Sequence, residues 1–293
     1  MLFTHLDTMS LLSVCIVNWN TREHLRATLS SLETHPATIA QEVIVVDNAS
    51  TDGSADMVSA EFPAVKLVVN TTNVGYAEGN NIALSAASGD WLLLLNPDVK
   101  VLPSTLDNAI ETAKEMRDLG ALGIKQIGLD GTIQRSVRSF PEPLGVLWEL
   151  IGLSKLFSHS RFFSSYRMNW FDYRGTIEVD QPMATFLLTT RPVFEAVGLM
   201  DKNFPIFFND VDWCYRIKCL GKKIYYTDRA EIIHYGGAGT SRANRSKMAA
   251  ESKKSFLAFY AKYYKNTLPG PVYHLICSAV KLSLALQRLR ANI

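Results

Sequence analysis

Val43-Ile-Val-Val-Asp-Asn-Ala-Ser-Thr-Asp-Gly-Ser54 joins four apolar, β-branched residues to a block of acids, amides, hydroxyls, alanine and glycine. A short run that is apolar throughout reads as a strand buried on both faces. The block behind it is made of residues that turns and helix starts prefer. The same grammar recurs on either side. Leu11–Val17 is an apolar run that ends in Asn18-Trp19-Asn20. Lys66–Val69 leads to Asn70, then to Asn73-Val74-Gly75-Tyr76 and Gly79-Asn80-Asn81, and Trp91–Leu95 ends in Asn96-Pro97-Asp98. Between these runs, Thr21–Leu32 places Leu25, Leu29 and Leu32 at helical spacing, and Ser54–Glu61 and Tyr76–Ala87 read as further helices. Doubly buried strands alternating with helices predict an α/β fold with a mostly parallel central sheet covered on both faces. Ligands of such sheets lie beyond the carboxyl ends of the strands, which is where each polar block falls.

Downstream the pattern is less regular. Ser104–Leu119 and Leu144–Phe157 read as helices, Thr132–Val137 as a strand, and 158–176 as an aromatic-rich loop. A strand over Thr185–Thr189 and helices over Arg191–Val197 and Val211–Leu220 follow, then two short strands, Lys223–Tyr226 and Glu231–His234.

At about 150 residues per domain, 293 residues make two domains or one large α/β domain. Hydrophobic residues at 47% and charged residues at 20% exclude disorder, collagen-like repeats and a disulfide scaffold. Cys15, Cys214, Cys219 and Cys277 form no C-x-x-C pair, so buried or incidental thiols are expected. Met1–Ser10 carries His5, Asp7 and only a brief apolar run, unlike a secretory signal. The N-x-S/T matches at Asn48, Asn70 and Asn244 then carry no glycan, and a reducing, cytoplasmic setting is expected.

The polar rim suits a nucleotide. Trp19 offers a plane for a base, Asp47 an acceptor for a base N–H or ribose hydroxyl, and Asp98 a carboxylate for a divalent ion. No G-x-x-x-x-G-K-[ST] and no G-x-G-x-x-G follows the first strand, which argues against P-loop NTPases and dinucleotide-dependent dehydrogenases. A second cluster runs from Phe207 to Arg216. Asp210 and Asp212 open a predicted helix, where carboxylates serve as caps. Asp210 also follows an aromatic run, a setting that lifts a carboxyl toward the range of a general base. His234 ends a strand and enters a glycine-rich stretch through Gly239, the placing of a metal ligand or phosphate neighbour.

These stretches, in this order and spanning residues 11 to about 240, resemble the family 2 glycosyltransferases. Those are inverting enzymes of GT-A fold, and the closest likeness is to the rhamnosyltransferase-like branch acting on lipid-linked precursors of cell walls and surface polysaccharides. The resemblance implies that Val17, Asn18, Trp19 and Asp47 hold the base and ribose of a nucleotide-sugar, and that Gly75 and Asn80 line the donor site. Asn96-Pro97-Asp98 resembles the family's D-x-D element with its first acid replaced, so Asp98 would carry Mg2+ or Mn2+ beside the diphosphate and His234 would be a further metal ligand. Asp210 falls on the catalytic base. Two departures stand out: Asn209 where Glu is usual, removing a carboxylate from the acceptor side, and Ala184 where Gly is common, narrowing the acceptor cleft. The implied donor is dTDP-rhamnose, with another hexosyl or galactofuranosyl donor as the nearest variant. The implied acceptor is a polyprenyl-diphosphate-linked saccharide.

Residues 1–240 thus form the expected transferase domain and residues 241–293 a basic, amphipathic helical segment. That segment holds ten Lys/Arg against Glu251 alone, a charge of +9 in a chain of net +2. Val272–Leu289 sets apolar residues at 272, 275, 276, 279, 282, 286 and 289, a helical stripe too short to span a bilayer. It fits either a helix docked on the domain or one lying on the inner face of the plasma membrane. A nucleotidyltransferase would need a glycine-rich basic loop that Thr21-Arg22-Glu23-His24 does not supply. A non-catalytic nucleotide-sugar or nucleic-acid binding module draws its support from Asn209 and the +9 segment. A nucleic-acid partner is not expected, because residues 1–240 are acidic.

Overall fold

The computed structural model describes residues 10–236 and 242–291. Its first part alternates as expected: β1 (Leu11–Asn18), α1 (Arg22–Thr34), β2 (Ala40–Asp47), α2 (Ser54–Glu61), β3 (Lys66–Val69), α3 (Tyr76–Ala86), β4 (Trp91–Leu95). Then come β5 (Val99–Val101), α4 (Thr105–Lys114), β6 (Leu119–Ile127), β7 (Val137–Arg138), α5 (Pro143–Leu150) and α6 (Leu153–Leu156). The remaining elements are β8 (Ile177–Val179), β9 (Gln181–Pro182), β10 (Phe186–Thr190), α7 (Arg191–Val197), α8 (Asn209–Cys219), β11 (Lys223–His234), α9 (Arg242–Tyr263) and α10 (Gly270–Ala291).

Among the described residues the main sheet runs β3-β2-β1-β4-β10-β6-β11-β5, with β8 on β11 and a separate β7–β9 pair. The strands β1, β2, β3, β4, β6 and β11 share one direction. Strand β10 runs against its neighbours β4 and β6. Side chains alternate between two cores. Leu12, Val14 and Ile16 of β1 pack with Leu25, Leu29 and Leu32 of α1, whereas Cys15 faces the core shared with α3, α8 and α9. That second core takes in Phe259 and Tyr260 of α9 and Ile276 and Cys277 of α10, so the C-terminal helices pack on the sheet's helical layer.

Four expectations are corrected. The helix read over Ser104–Leu119 stops at Lys114, and β6 begins at Leu119. Strand β6 is masked in the sequence by Gly120 and Gly123, whose missing side chains leave room for Ile217 and Pro182. The helix over Leu144–Phe157 breaks at Gly152, which takes φ +82°. Only Val137 of the strand over Thr132–Val137 joins a strand, although Ile133 bridges to Ile127. Lys223–Tyr226 and Glu231–His234 are two ends of one strand, β11, with a register shift between Thr227 and Glu231. The aromatic 158–176 segment holds no helix or strand, as expected. The glycine-rich stretch beyond Gly236 lies outside the described residues.

Candidate active site

The carboxyl ends of β1, β2 and β4 build one edge. Asn18 and Asp47, register partners at the ends of β1 and β2, are both buried. Asn18 Nδ2 donates to Asp47 Oδ2 (2.9 Å) and Ser50 Oγ (3.1 Å), while Asp47 Oδ1 accepts from Ser50 N–H (2.8 Å). Asp47 therefore holds its loop from a buried position at the end of β2, with lone pairs left over. Asp52 accepts from the N–H groups of both Arg22 (2.9 Å) and Ser54 (3.1 Å), the helix-start role expected of it. Trp19 stands half-exposed beside these groups.

A cavity of about 670 Å3 opens between Val17, Trp19 and Asn48 on one side and Gly75, Pro205 and Phe207 on the other. Gly75 is required there: at φ +87° a Cβ would lie 2.9 Å from Pro205 O. The same carbonyl accepts from Tyr76 N–H (2.7 Å) and Ala77 N–H (3.2 Å), so the first amides of α3 are satisfied by protein. Asn80, placed at the donor site by resemblance, is buried and donates to Tyr76 O within its own helix (2.9 Å). Asn81 clamps the backbone of Met200 through both its amide groups.

Asp98 and His234 meet because β5 and β11 pair antiparallel, with His234 opposite Val99. Thr28 of α1 fixes the turn between β4 and β5, its Oγ1 lying 2.8 Å from Pro97 O and 2.7 Å from Val99 O. His234 Nε2 lies 3.3 Å from Asp98 Oδ1. Gln134 donates from Nε2 to His234 O (2.8 Å) and presents Oε1 to His234 Nδ1 (2.7 Å). An acceptor at Nδ1 puts the ring proton there. The Nε2 lone pair then faces a carboxylate oxygen, an arrangement that asks for a proton or a metal cation between them. The chemistry of this pair fits Mg2+ or Mn2+. Among the described residues no cluster of three His, Cys, Asp or Glu stands together. Gln134 has no local sequence signal, because only the strand pairing brings it to His234.

Asp210 begins α8 behind Phe208, whose φ of +67° is strained for a bulky residue. It lines a smaller cavity of about 240 Å3 with Tyr76, Asn96, Ala184 and Thr185, so a cleft persists beside Ala184. Oδ1 accepts from Val211 N–H (2.9 Å) and Oδ2 lies 3.4 Å from Ala184 N. Burial pushes its pKa above the usual carboxylate value, and the hydrogen bonds and Arg138 oppose that shift. Tyr76 joins the two halves of the site: its hydroxyl lies 3.0 Å from Asn96 Oδ1, and it is pushed up by burial first and then by Asp210 and Asp98.

Asn209 lines the same cavity as Asp210, with its amide turned to the backbone. It is buried, and its Nδ2 donates to Phe204 O (3.2 Å) and Ile206 O (3.0 Å), two bonds a glutamate could not donate. Asp212, read as a cap, is instead an ion-pair centre binding Arg216 (2.9 Å), Lys262 (2.6 Å) and the Tyr263 hydroxyl (2.6 Å). Cys214 is buried and Cys219 exposed, and both are free thiols.

A sheet of this topology, with polar residues gathered at the carboxyl ends of its parallel strands, is that of the GT-A glycosyltransferases. The family model for glycosyl transferase family 2 matches residues 13–177, more than half of the chain, and the protein belongs to that family. It is 26% identical over 270 residues, 84% of its own length and 83% of the relative's, to N-acetylglucosaminyl-diphospho-decaprenol L-rhamnosyltransferase of Mycobacterium tuberculosis. A low-salt glycan biosynthesis hexosyltransferase of Haloferax volcanii is 21% identical over 260 residues, 87% of this chain and 77% of that one. Among solved structures, a mannosyltransferase of Pyrobaculum calidifontis in complex with GDP-Man and Mn2+ superposes with TM-score 0.59 at 17% identity, covering 97% of this chain and 73% of that one.

Proposed function

We propose that this glycosyltransferase is an inverting, metal-dependent enzyme that moves L-rhamnose from dTDP-rhamnose to a polyprenyl-diphosphate-linked saccharide. The observation that carries the reading is the placing of a buried carboxylate, Asp210, across Tyr76 from the Asp98–His234 pair. One side of the site takes a proton and the other side faces a departing diphosphate. In this reading the base stacks on Trp19, with Asn18 and Asp47 beneath the ribose and Gly75 beside the sugar. Asp210 removes the proton of the acceptor hydroxyl as that oxygen attacks the anomeric carbon. A divalent ion bound at Asp98 and His234 would supply Lewis-acid stabilisation of the leaving diphosphate. The choice of rhamnose rests on the mycobacterial relative, whose name specifies that sugar and a diphospho-decaprenol acceptor. A place on the inner face of the plasma membrane follows from the same acceptor.

The test is a donor panel. Purified protein with Mn2+ and a GlcNAc-diphosphate-lipid analogue is offered dTDP-rhamnose, UDP-glucose, UDP-galactofuranose and GDP-mannose in turn, and release of nucleoside diphosphate is followed. Turnover with dTDP-rhamnose and not with the others is expected. Turnover confined to another donor overturns the rhamnose assignment and leaves the transferase chemistry in place.

A further inference from the structure

A third cavity, of about 220 Å3, continues the line of the first two. The donor cavity and the Asp210 cavity share Tyr76, Ile206 and Phe207, and the Asp210 cavity shares Phe208 with this one. Its wall carries three cations from three elements: Arg138 of β7, Arg167 of the aromatic loop and Lys253 of α9. None of its described lining residues is acidic. Arg138 lies close enough to Asp210 to influence its charge and hydrogen-bonds with Tyr166. Arg167 pairs with Glu149, and Lys253 is held by Ser283 O (3.1 Å) and Oγ (2.9 Å).

The cavity's rim is apolar, exposed at Leu150 and buried at Val280. Leu150 of α5 and Val280 of α10 line it. From Leu150 an outward surface runs through Ile151, Leu156, Phe157 and Phe162, each at least 46% exposed beyond Leu150 itself. Phe157 and Phe162 flank Phe163, against which Trp148 packs edge-on, so the aromatic rings form one contacting cluster. Monomeric proteins rarely leave such a contiguous patch uncovered without a partner for it.

We propose that this cavity binds the diphosphate of the polyprenyl-linked acceptor, with the first isoprene units lying on the Leu150–Phe162 surface. This deepens the function proposed above and rests on it. Arg138, Arg167 and Lys253 outnumber the one carboxylate paired with them, Glu149 on Arg167, so positive charge predominates as a diphosphate requires, and arginine hydrogen-bonds phosphate oxygens in a fork. The apolar rim matches the chain attached to it. The order of the cavities matches the order of the molecule: lipid, diphosphate, then a sugar hydroxyl at Asp210 and the donor beyond.

The test uses the full-length protein and isothermal titration, with farnesyl diphosphate as probe in EDTA, so that no metal site takes part. Separate titrations use dTDP with Mn2+, farnesol, and inorganic diphosphate. The wild type is expected to bind farnesyl diphosphate in EDTA and, in a second titration without EDTA, to bind it equally well with dTDP and Mn2+ already in the donor cavity. Farnesol and inorganic diphosphate should each bind more weakly. Arg138→Gln and Arg167→Gln should each weaken farnesyl diphosphate about tenfold while binding dTDP as before, which also reports that they fold; Arg138→Lys should recover part of the loss. Displacement of farnesyl diphosphate by dTDP, equal affinity in the Gln variants, inorganic diphosphate binding as tightly, or displacement by phosphatidylglycerol vesicles would each overturn the assignment. A wild-type chain that bound farnesyl diphosphate but no nucleotide would count against the transferase reading and not against this cavity.

Discussion

Asp210 is the base of the proposed mechanism, and its burial sets the sign of two effects. A carboxyl whose folded pKa is raised favours its protonated form in the native state. Its contribution to stability is complete below the ordinary carboxylate pKa and is lost as pH rises through the raised value. As a base it works only when deprotonated, so kcat/KM should fall as pH drops through that raised value. The acidic limb then lies above the ordinary carboxylate range. The groups facing Asp210 are Arg138, which holds the limb down, and Tyr76 and Cys214, themselves pushed up partly by Asp210. Asp210→Asn should lower kcat by about 10^2 to 10^4 and abolish the limb, yet melt no lower than the wild type at pH 7.5. A variant with an unchanged pH profile would remove Asp210 from the base's role. Gln134 acts one step further out, by keeping the His234 ring proton on Nδ1. Gln134→Leu should weaken Mn2+ binding by roughly 10- to 100-fold, read directly by electron paramagnetic resonance titration of free Mn2+. Unchanged affinity would show that the ring needs no such orientation.

At the scale of elements, the tie between α8 and α9 is Asp212. Its carboxylate is fully buried and holds Arg216 in its own helix together with Lys262 and Tyr263 of α9. Removing one partner of a buried pair leaves charge uncompensated, so Asp212→Ala should cost about 3 to 5 kcal/mol in chemical denaturation. A loss under 1 kcal/mol would mean that Asp201, which also pairs with Lys262, suffices. Asp212 also marks what sequence reading sees and misses. Its place at a helix start and the i,i+4 spacing to Arg216 were visible, but Lys262 and Tyr263 lie about fifty residues away and no local signal names them. The early strands were legible because each is a short apolar run closed by polar residues. Strand β6 was not, because close approach of Ile217 and Pro182 demands glycine where a strand signal would otherwise stand. The pairing of β5 with β11 is likewise invisible locally, so the meeting of Asp98 and His234 came from the resemblance and the geometry came from the fold. Asn209 shows the converse: the substitution was legible, its meaning was not, since the two carbonyls it satisfies belong to a turn that only the folded chain forms.

The whole molecule has one face unlike the others. Helix α10 buries Ile276, Cys277, Val280 and Leu284 against the domain, so it docks on protein with one side. Its other side leaves Leu275 and Leu282 each 61% exposed, next to the exposed Lys281. The stripe read from sequence is thus divided between the core and the outside as far as Leu282, and positions 286 and 289 lie outside the described side chains. No described helix is long and apolar enough to cross a membrane. What α10 presents is an apolar ridge on a segment of charge +9, the pairing that draws a helix to an anionic lipid surface at about 1 kcal/mol per basic residue near it. The protein should therefore float with liposomes rich in phosphatidylglycerol and stay behind with phosphatidylcholine alone, and raising salt should shift part of it back to solution. Leu275→Ser with Leu282→Ser removes about 2 kcal/mol or more of apolar contact with lipid and should lower the bound fraction at least tenfold. Because both side chains already face outward, the double variant should melt as the wild type does and bind dTDP with Mn2+ unchanged. Flotation of that variant at the wild-type level would place the lipid contact elsewhere, on the aromatic surface of α5 and α6 where the acceptor's chain is proposed to lie.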